Sequence, residues 1–157
     1  MDEIDKKILS ILQLDTTQVV ADIAKEVGLS TTPCWRRIQN LEKIGVIRSR
    51  VALLDAEKLN AGVTVFVSIK TDKHDAAWYQ GFSSAVNEFP EVVEFYRMSG
   101  DIDYLLRVVV PDIAAYDHFY QRLIEQVELY DVSSSFSMEQ IKYLSLIHIS
   151  EPTRHLL

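Results

Sequence analysis

The stretch that decides the fold lies at residues 20–44 and reads VADIAKEVGLSTTPCWRRIQNLEKI. Its first part carries apolar side chains at helical spacing, and Gly28 follows at a position where helices commonly end in the left-handed conformation. Ser30 can cap a longer helix that runs to about Ile44. Pro33 is tolerated in the first turn of that helix, because the amide it lacks would have no partner there. A short helix, a glycine turn and a longer helix in this order predict a helix-turn-helix.

The longer helix has one apolar and one polar face. At about 100° per residue, Cys34, Ile38 and Leu41 form a stripe that we expect to be buried. The opposite face can donate hydrogen bonds to phosphates or base edges, and it carries Thr32, Arg36, Gln39, Asn40 and Lys43. A merely solvated polar face would have a similar composition. The preceding short helix and glycine turn are what favour DNA recognition.

We divide the predicted DNA-binding residues by the groups they would contact. Predicted to contact base edges are Thr32, Arg36, Gln39 and Asn40, and predicted to contact phosphates are Arg37, Lys43, Arg48 and Arg50. Thr31 is added at the start of the helix, where unpaired backbone amides can also bind a phosphate. Trp35 is expected to pack beneath a neighbouring element, and Cys34 is expected to be a small core residue.

The distribution of charge decides whether so acidic a chain can bind DNA. The net charge is −7 over 157 residues, which alone would repel an anionic partner. Residues 1–60 are neutral, however, and residues 61–157 carry the whole excess. Within the first part, residues 25–50 hold six basic and two acidic side chains. The predicted helix-turn-helix is therefore a basic patch on a neutral module.

The surrounding sequence completes a predicted N-terminal domain at residues 1–54. Residues 3–14 follow the helical period after Asp2, a good capping residue. Residues 46–54 are rich in Val, Ile and Leu with two interleaved arginines, which predicts a short β-ribbon and hence a winged helix-turn-helix. Residues 55–62 are polar and end in glycine, so they are predicted to be a linker.

Residues 63–143 predict a second domain of the α+β class. Their patterns indicate, in order, a strand at 63–69, a helix at 78–89, a hairpin of strands 92–98 and 104–110 around the turn 99–103, a helix at 113–127 and a strand at 130–138. The order βαββαβ predicts a ferredoxin-like sheet with both helices on one face. The other face, with Phe66 and Tyr96, needs a cover, which predicts dimerisation.

Several function classes lack support in the sequence. The single cysteine and four histidines show no metal-ligand spacing, and no set of nucleophile, base and orienting residue is recognisable. Walker and dinucleotide-binding glycine motifs are absent too. No apolar run approaches the length of a membrane span, and the start of the chain lacks the features of a secretory signal. We therefore expect a cytoplasmic protein that is not an enzyme and that holds no metal or cofactor.

Three strings point to a known family: LSTTPCWRRI at residues 29–38, SGDIDY at 99–104 and SSSF at 133–136. Their order and spacing resemble the Lrp/AsnC family of bacterial and archaeal regulators, over residues 2–143. The resemblance implies a transcription regulator that binds double-stranded DNA and senses a small amino acid. It also implies dimers formed through the C-terminal sheets, and octamers with the amino acid bound where dimers meet. The alternatives are an architectural DNA-binding protein without an effector, and an enzyme or metabolic regulatory subunit.

Within the resemblance, the hairpin turn becomes a candidate effector site. An amino acid carries an ammonium and a carboxylate, so its site needs acceptors beside donors. Asp101 or Asp103 would accept from the ammonium, and the carboxylate would bind loop amides with nearby hydroxyl groups. The full predicted set is Ser99, Gly100, Asp101, Asp103, Ser133, Ser134 and Ser135. Without the family, this loop would be an ordinary hairpin turn.

Two further features concern the choice of effector and the end of the chain. Residues 51–55 and 138–143 are most similar to a branch that includes cysteine-responsive regulators, which makes cysteine one candidate effector. Composition and spacing alone carry no information on the effector. Residues 144–157 depart from the family pattern and look like translated adapter sequence, which predicts a non-native tail. The alternative is a natural extra strand at residues 144–149.

Overall fold

The computed structural model describes residues 1–149 and contains two compact units. Residues 1–52 together with 142–149 form the N-terminal unit, and residues 53–141 form the C-terminal unit. The expected domain limits, with a linker at 55–62 and a non-native tail from 144, stay predictions. The part of the tail prediction that falls on residues 150–157 lies outside the described residues.

Three helices build the N-terminal unit: α1 (Glu3–Leu14), α2 (Val20–Val27) and α3 (Thr31–Lys43). Asp2 caps α1 through a capping box, in which its side chain accepts from the amide of Asp5 while the Asp5 carboxylate accepts from the amide of Asp2. Gly28 ends α2 with φ of +77°, a left-handed conformation that favours glycine. The predicted helix-turn-helix is confirmed.

A small apolar core joins these helices. It consists of Ile8, Leu9, Leu12, Ile23, Ala24, Cys34, Ile38 and Leu41. As predicted, α3 contributes its stripe of Cys34, Ile38 and Leu41, each no more than 2% exposed. Burial raises the pKa of the Cys34 thiol, so the neutral form is favoured and the residue serves as a core side chain.

The β-ribbon expected at residues 46–54 does not form, so the prediction of a wing is wrong for this chain. Gly45 turns the chain with φ of +80°, and residues 46–54 contain no strand. Val51 and Leu54 are 70% and 73% exposed. The physical reason is that a ribbon must fold back on itself, and this segment has no Gly, Pro, Asn or Asp at which to turn. Its β-branched composition was therefore misleading.

The C-terminal unit has the predicted order of strands and helices: β1 (Val63–Lys70), α4 (Ala76–Asn87), β2 (Val92–Arg97), β3 (Tyr104–Val110), α5 (Ile113–Gln126) and β4 (Asp131–Phe136). A 3₁₀ turn at Glu57–Leu59 precedes them. The strands lie in the order β2-β3-β1-β4, and each neighbouring pair is antiparallel. This is the expected ferredoxin-like sheet.

The two faces of the sheet differ in how they are covered. One face packs against both helices, with Val67, Leu106, Phe82 and Phe119 among the residues of a single core cluster. The opposite face is open in the single chain, and Phe66 and Tyr96 on it are 39% and 50% exposed. The predicted apolar positions are thus exposed, and dimerisation through this face stays a prediction.

Two further properties hold for residues 1–149. No helix among them is long and apolar enough to span a membrane. No group of three or more His, Cys, Asp or Glu side chains in this part of the chain is placed to hold a metal ion.

Candidate DNA-binding surface and effector site

The polar face of α3 is presented to solvent. Its exposed residues are Thr31, Thr32, Arg36, Gln39, Asn40 and Lys43, and Arg48 and Arg50 are exposed just beyond the helix. Within residues 1–149, Arg36, Lys43 and Arg48 form no ion pair. Arg50 pairs with Glu42 at 2.6 Å between Nη2 and Oε1. A surface pair of this kind is weak enough to exchange for a phosphate contact.

Arg37 lies in a different setting from the other predicted phosphate contacts. Its side chain is only 31% exposed. Its Nη1 donates to Oδ1 and Oδ2 of Asp2 at 2.8 and 2.7 Å and to Oδ1 of Asp5 at 3.1 Å. These contacts hold the pKa of Asp2 at about 2, chiefly through the Arg37 hydrogen bond and then through the amide of Asp5. The structure therefore directs the Arg37 side chain toward α1, away from the exposed polar set.

Trp35 is a surface residue that the sequence argument misplaced. We expected it to pack beneath a neighbouring element, but that element is missing and the indole is 49% exposed. Trp35 therefore adds an aromatic surface beside Arg36. The helical period could have indicated this exposure, because it places Trp35 at the margin of the buried stripe.

The two aspartates of the hairpin turn, which the sequence left equivalent, have different roles. Asp101 is exposed in the loop with Ser99 and Gly100. Asp103 is partly buried, and its Oδ2 accepts from the amide of Thr71 at 2.8 Å. The Asp103 amide also donates to the carbonyl of Ile69 at 2.9 Å. Asp103 thus ties the loop to the end of β1, whereas the Asp101 side chain is exposed to solvent.

The three predicted serines of β4 point to both faces of the sheet. Ser133 and Ser135 lie opposite Ser68 and Phe66 of β1 and share the open face with them. Ser134 faces the helices and hydrogen-bonds the hydroxyl of Tyr116. Burial raises the pKa of that hydroxyl, and the Ser134 contact partly offsets the rise.

The seven predicted effector residues do not form one cluster within a single chain. The 99–103 loop enters β3, and β1 separates β3 from β4. Strands two positions apart lie about 10 Å from each other, which exceeds the span of a small amino acid's charged groups. The loop and the serines are therefore separate groups on one sheet, and their role in effector binding stays a prediction.

A cleft that the sequence did not indicate lies between the end of α5 and β4. Its volume is about 470 Å³, and its lining includes Tyr120, Ile124, Glu128 and Asp131. Glu128 pairs with Lys73 at 2.5 Å, and the hydrogen bond lowers the pKa of this carboxyl group. No periodicity marks the cleft, because it arises where α5 ends and the chain turns into β4.

Comparison with known proteins identifies both units. The AsnC-type helix-turn-helix domain matches residues 1–42, and the Lrp/AsnC ligand binding domain matches residues 64–147. The chain belongs to the Lrp/AsnC family. Among curated relatives, the DNA-binding transcriptional activator DecR of Escherichia coli is 50% identical over 150 residues, which is 95% of this chain and 99% of that protein.

Solved structures agree with this assignment. An AsnC family transcriptional regulator from Agrobacterium tumefaciens is 65% identical and has a TM-score of 0.88, with 100% of both chains covered. A transcriptional regulator from Neisseria meningitidis in complex with L-Met is 33% identical and has a TM-score of 0.86, with 100% of this chain and 99% of that one covered. These Lrp/AsnC relatives are named as regulators, in agreement with the expectation that the chain is not an enzyme.

Proposed function

We propose that this Lrp/AsnC protein is a sequence-specific transcriptional regulator. In this proposal, α3 enters the major groove and contacts base edges through Thr32, Arg36, Gln39 and Asn40. The observation that carries the proposal is the exposure of a continuous polar face on α3 whose opposite stripe is buried. A helix fixed by its apolar face presents its donors at constant spacing, as recognition of successive base edges requires.

The DNA-binding proposal is tested by Arg36→Ala with Lys7→Ala as the control. Both residues are exposed and basic, but Lys7 lies on α1. Arg36→Ala should weaken binding to a native promoter fragment by about 1–3 kcal/mol, and Lys7→Ala should leave it nearly unchanged. For the unmodified protein, affinity should fall steeply as salt rises, because phosphate contacts release counterions. Unchanged binding by Arg36→Ala would remove α3 from the proposed role.

For the C-terminal unit, we propose recognition of a small amino acid at the 99–103 loop, with the ammonium accepted by Asp101. The exposed carboxylate beside the Gly100 amide supplies an acceptor and a donor. The L-Met complex of the Neisseria meningitidis relative supports a ligand of this class. Cysteine and methionine are the first candidates, and the cytoplasm, where DNA and free amino acids meet, is the proposed compartment.

A thermal-shift screen of the twenty amino acids at millimolar concentration tests this sensing role. At least one amino acid should raise the Tm, and Asp101→Asn should abolish the rise while Asp72→Asn, at another exposed carboxylate, should keep it. If no amino acid stabilises the protein, the architectural DNA-binding function becomes the better account.

We further propose that the open sheet face mediates assembly of dimers, from which octamers are built. Phe66 and Tyr96 supply apolar area there, and Arg107 and Glu94 form an ion pair on the same face at 2.8 Å. Exposed apolar area beside a fixed charge pair suits a two-fold contact between identical surfaces.

Sedimentation of Phe66→Asp tests the proposed dimer. This variant should shift the protein toward monomers, because it places a charge in an apolar interface. Ile113→Asp is the control, since Ile113 is 70% exposed and begins α5 in the helix layer. Equal dissociation by both variants, or by neither, would contradict the assignment of the open face.

A further inference from the structure

Arg37 is the polar link between the recognition helix and the start of the chain. It lies on α3, and its Nη1 contacts three carboxylate oxygens, two on Asp2 and one on Asp5. Asp2 is the cap of α1, and Asp5 completes its capping box. One guanidinium group therefore connects the middle of α3 to the first turn of α1, between residues that are 32 and 35 positions apart in sequence.

The remaining contacts between α1 and α3 are apolar and give less control over orientation. Ile8, Leu12, Ile38 and Leu41 share the small core, and hydrophobic burial has little dependence on direction. Charge-assisted hydrogen bonds, in contrast, depend on both distance and angle. The Arg37 contacts thus add a directional restraint on the rotation of α3 about its own axis to the restraint from its core stripe.

The axial rotation of α3 decides where its polar face points. Arg36, next to Arg37 in sequence, is exposed and unpaired within the described residues. Rotating a helix of this size by about 20° moves an outer side chain by about 2 Å, because side chains extend about 5–6 Å from the axis. A displacement of that size breaks hydrogen bonds to base edges, whose range is about 0.5 Å.

We propose that Arg37, held by Asp2 and Asp5, is a positioning residue for DNA recognition that aligns α3 for contact with base edges. This proposal rests on the function proposed above for α3. It replaces the sequence-based assignment of Arg37 as a phosphate contact. The carboxylates of α1 thereby contribute to DNA specificity although they are anionic and contact no DNA.

Asp5→Asn in the full chain tests whether the Asp5 carboxylate strengthens or weakens DNA binding. Removal of a negative charge near DNA should, by electrostatics alone, strengthen binding, and it would also release an Arg37 that contacts phosphate. Under the positioning proposal the opposite occurs, and affinity for the specific site falls about tenfold, as on loss of one good base contact. Asparagine keeps an oxygen for the capping box, so α1 retains its start. Stronger specific binding by Asp5→Asn would overturn the proposal.

Arg37→Met and Arg37→Lys separate positioning from phosphate contact and from simple loss of stability. Arg37→Met should lower the ratio of specific to non-specific affinity about tenfold and leave the slope of log K against log salt unchanged, and Arg37→Lys should restore most of that ratio. A phosphate contact would instead reduce the slope by about 0.9 and weaken both kinds of site. A purely structural role would lower the Tm and the active fraction while the ratio stayed constant. Either of these last two results contradicts the proposal.

Lys43→Ala serves as the reference for a phosphate contact, and Arg36→Ala as the reference for the proposed function. If Arg36→Ala leaves specific binding intact, the proposed function of α3 fails. If Arg36→Ala weakens binding while Arg37→Met does not change the affinity ratio, only the inference about Arg37 fails. The two failures are therefore distinguishable in one set of titrations.

Discussion

The N-terminal and C-terminal units fix their helices by different means. The C-terminal unit aligns α4 and α5 on a sheet whose strands are held in register by backbone hydrogen bonds, and fourteen buried residues form its core. The N-terminal unit has eight buried residues, and Arg37 links its α3 to the start of α1 through side-chain hydrogen bonds. Substitutions in the C-terminal unit should therefore change its stability, whereas substitutions in the N-terminal unit should also change the orientation of its helices.

The two tryptophans allow each unit to be observed separately. Trp35 is in the N-terminal unit, and Trp78 is in the C-terminal unit, where it stacks on Phe82 at 4.9 Å. Trp35→Phe and Trp78→Phe therefore leave single-tryptophan proteins whose fluorescence reports one unit each.

The largest expected effect comes from the two cores. Phe119 and Ile38 are 0% and 2% exposed. Phe119→Ala should cost about 3–5 kcal/mol and Ile38→Ala about 2–5 kcal/mol of unfolding free energy in urea. In the small N-terminal unit such a loss should abolish the folded state and DNA binding together. The folded fraction of Phe119→Ala should keep its DNA affinity.

Ile44→Ala is the control for Ile38→Ala, since Ile44 is 57% exposed at the end of α3. It should cost less than about 0.5 kcal/mol. Unfolding of only the C-terminal unit by Ile38→Ala, seen at Trp78, would contradict this difference between the units. Loss of DNA affinity by folded Phe119→Ala would contradict it too.

A smaller effect is expected at the Tyr116 hydroxyl, which Ser134 contacts inside the C-terminal unit. Tyr116→Phe should cost about 1 kcal/mol, because a hydrogen bond is lost while the ring stays packed. The folded pKa of Tyr116 is above its ordinary value of 10.0, so its contribution is present below pH 10 and is lost as pH rises further. Unfolding monitored at Trp78 should show this alkaline decline in the parent and a weaker decline in Tyr116→Phe.

The smallest effect is expected at Asp2 and is confined to acid. Its pKa falls from 3.8 to about 2 in the folded chain, mainly because Arg37 donates to it. A lowered pKa stabilises the folded state above 3.8, and the stabilisation is lost as pH falls toward 2. Unfolding monitored at Trp35 should therefore weaken over this range, and Asp2→Asn should flatten that part of the profile. An identical acid profile in both proteins would show that the Arg37 contact is not maintained in solution.

Periodicity predicted most of the fold because burial imposes it. The stripe of α3 and the alternation of β1 are direct consequences of one buried face, and both could be identified without structural knowledge. The wing failed because β propensity indicates what a strand can contain and does not supply a partner for residues 46–54. Pairing is a property of two segments, and the composition of one segment does not supply its partner.

The candidate sites were predicted less completely than the fold. Helical periodicity correctly placed Arg36 on an exposed face, but residue type assigned Arg37 to phosphate, because its partners Asp2 and Asp5 lie far away in sequence. Residue type likewise could not distinguish Asp101 from Asp103, because the amide that binds Asp103 belongs to Thr71 after another strand. In each case the deciding contact is long-range, and one sequence contains no record of it.

The most direct test of the central claim is selection of binding sites from random DNA by the parent protein and by Gln39→Ala and Asn40→Ala. If α3 contacts base edges, each variant should lose preference at one or two defined positions and keep it elsewhere, at a cost of about 1–3 kcal/mol for the parent site. The same preferred sequence in all three proteins, bound uniformly more weakly by the variants, would contradict recognition of bases by this face of α3.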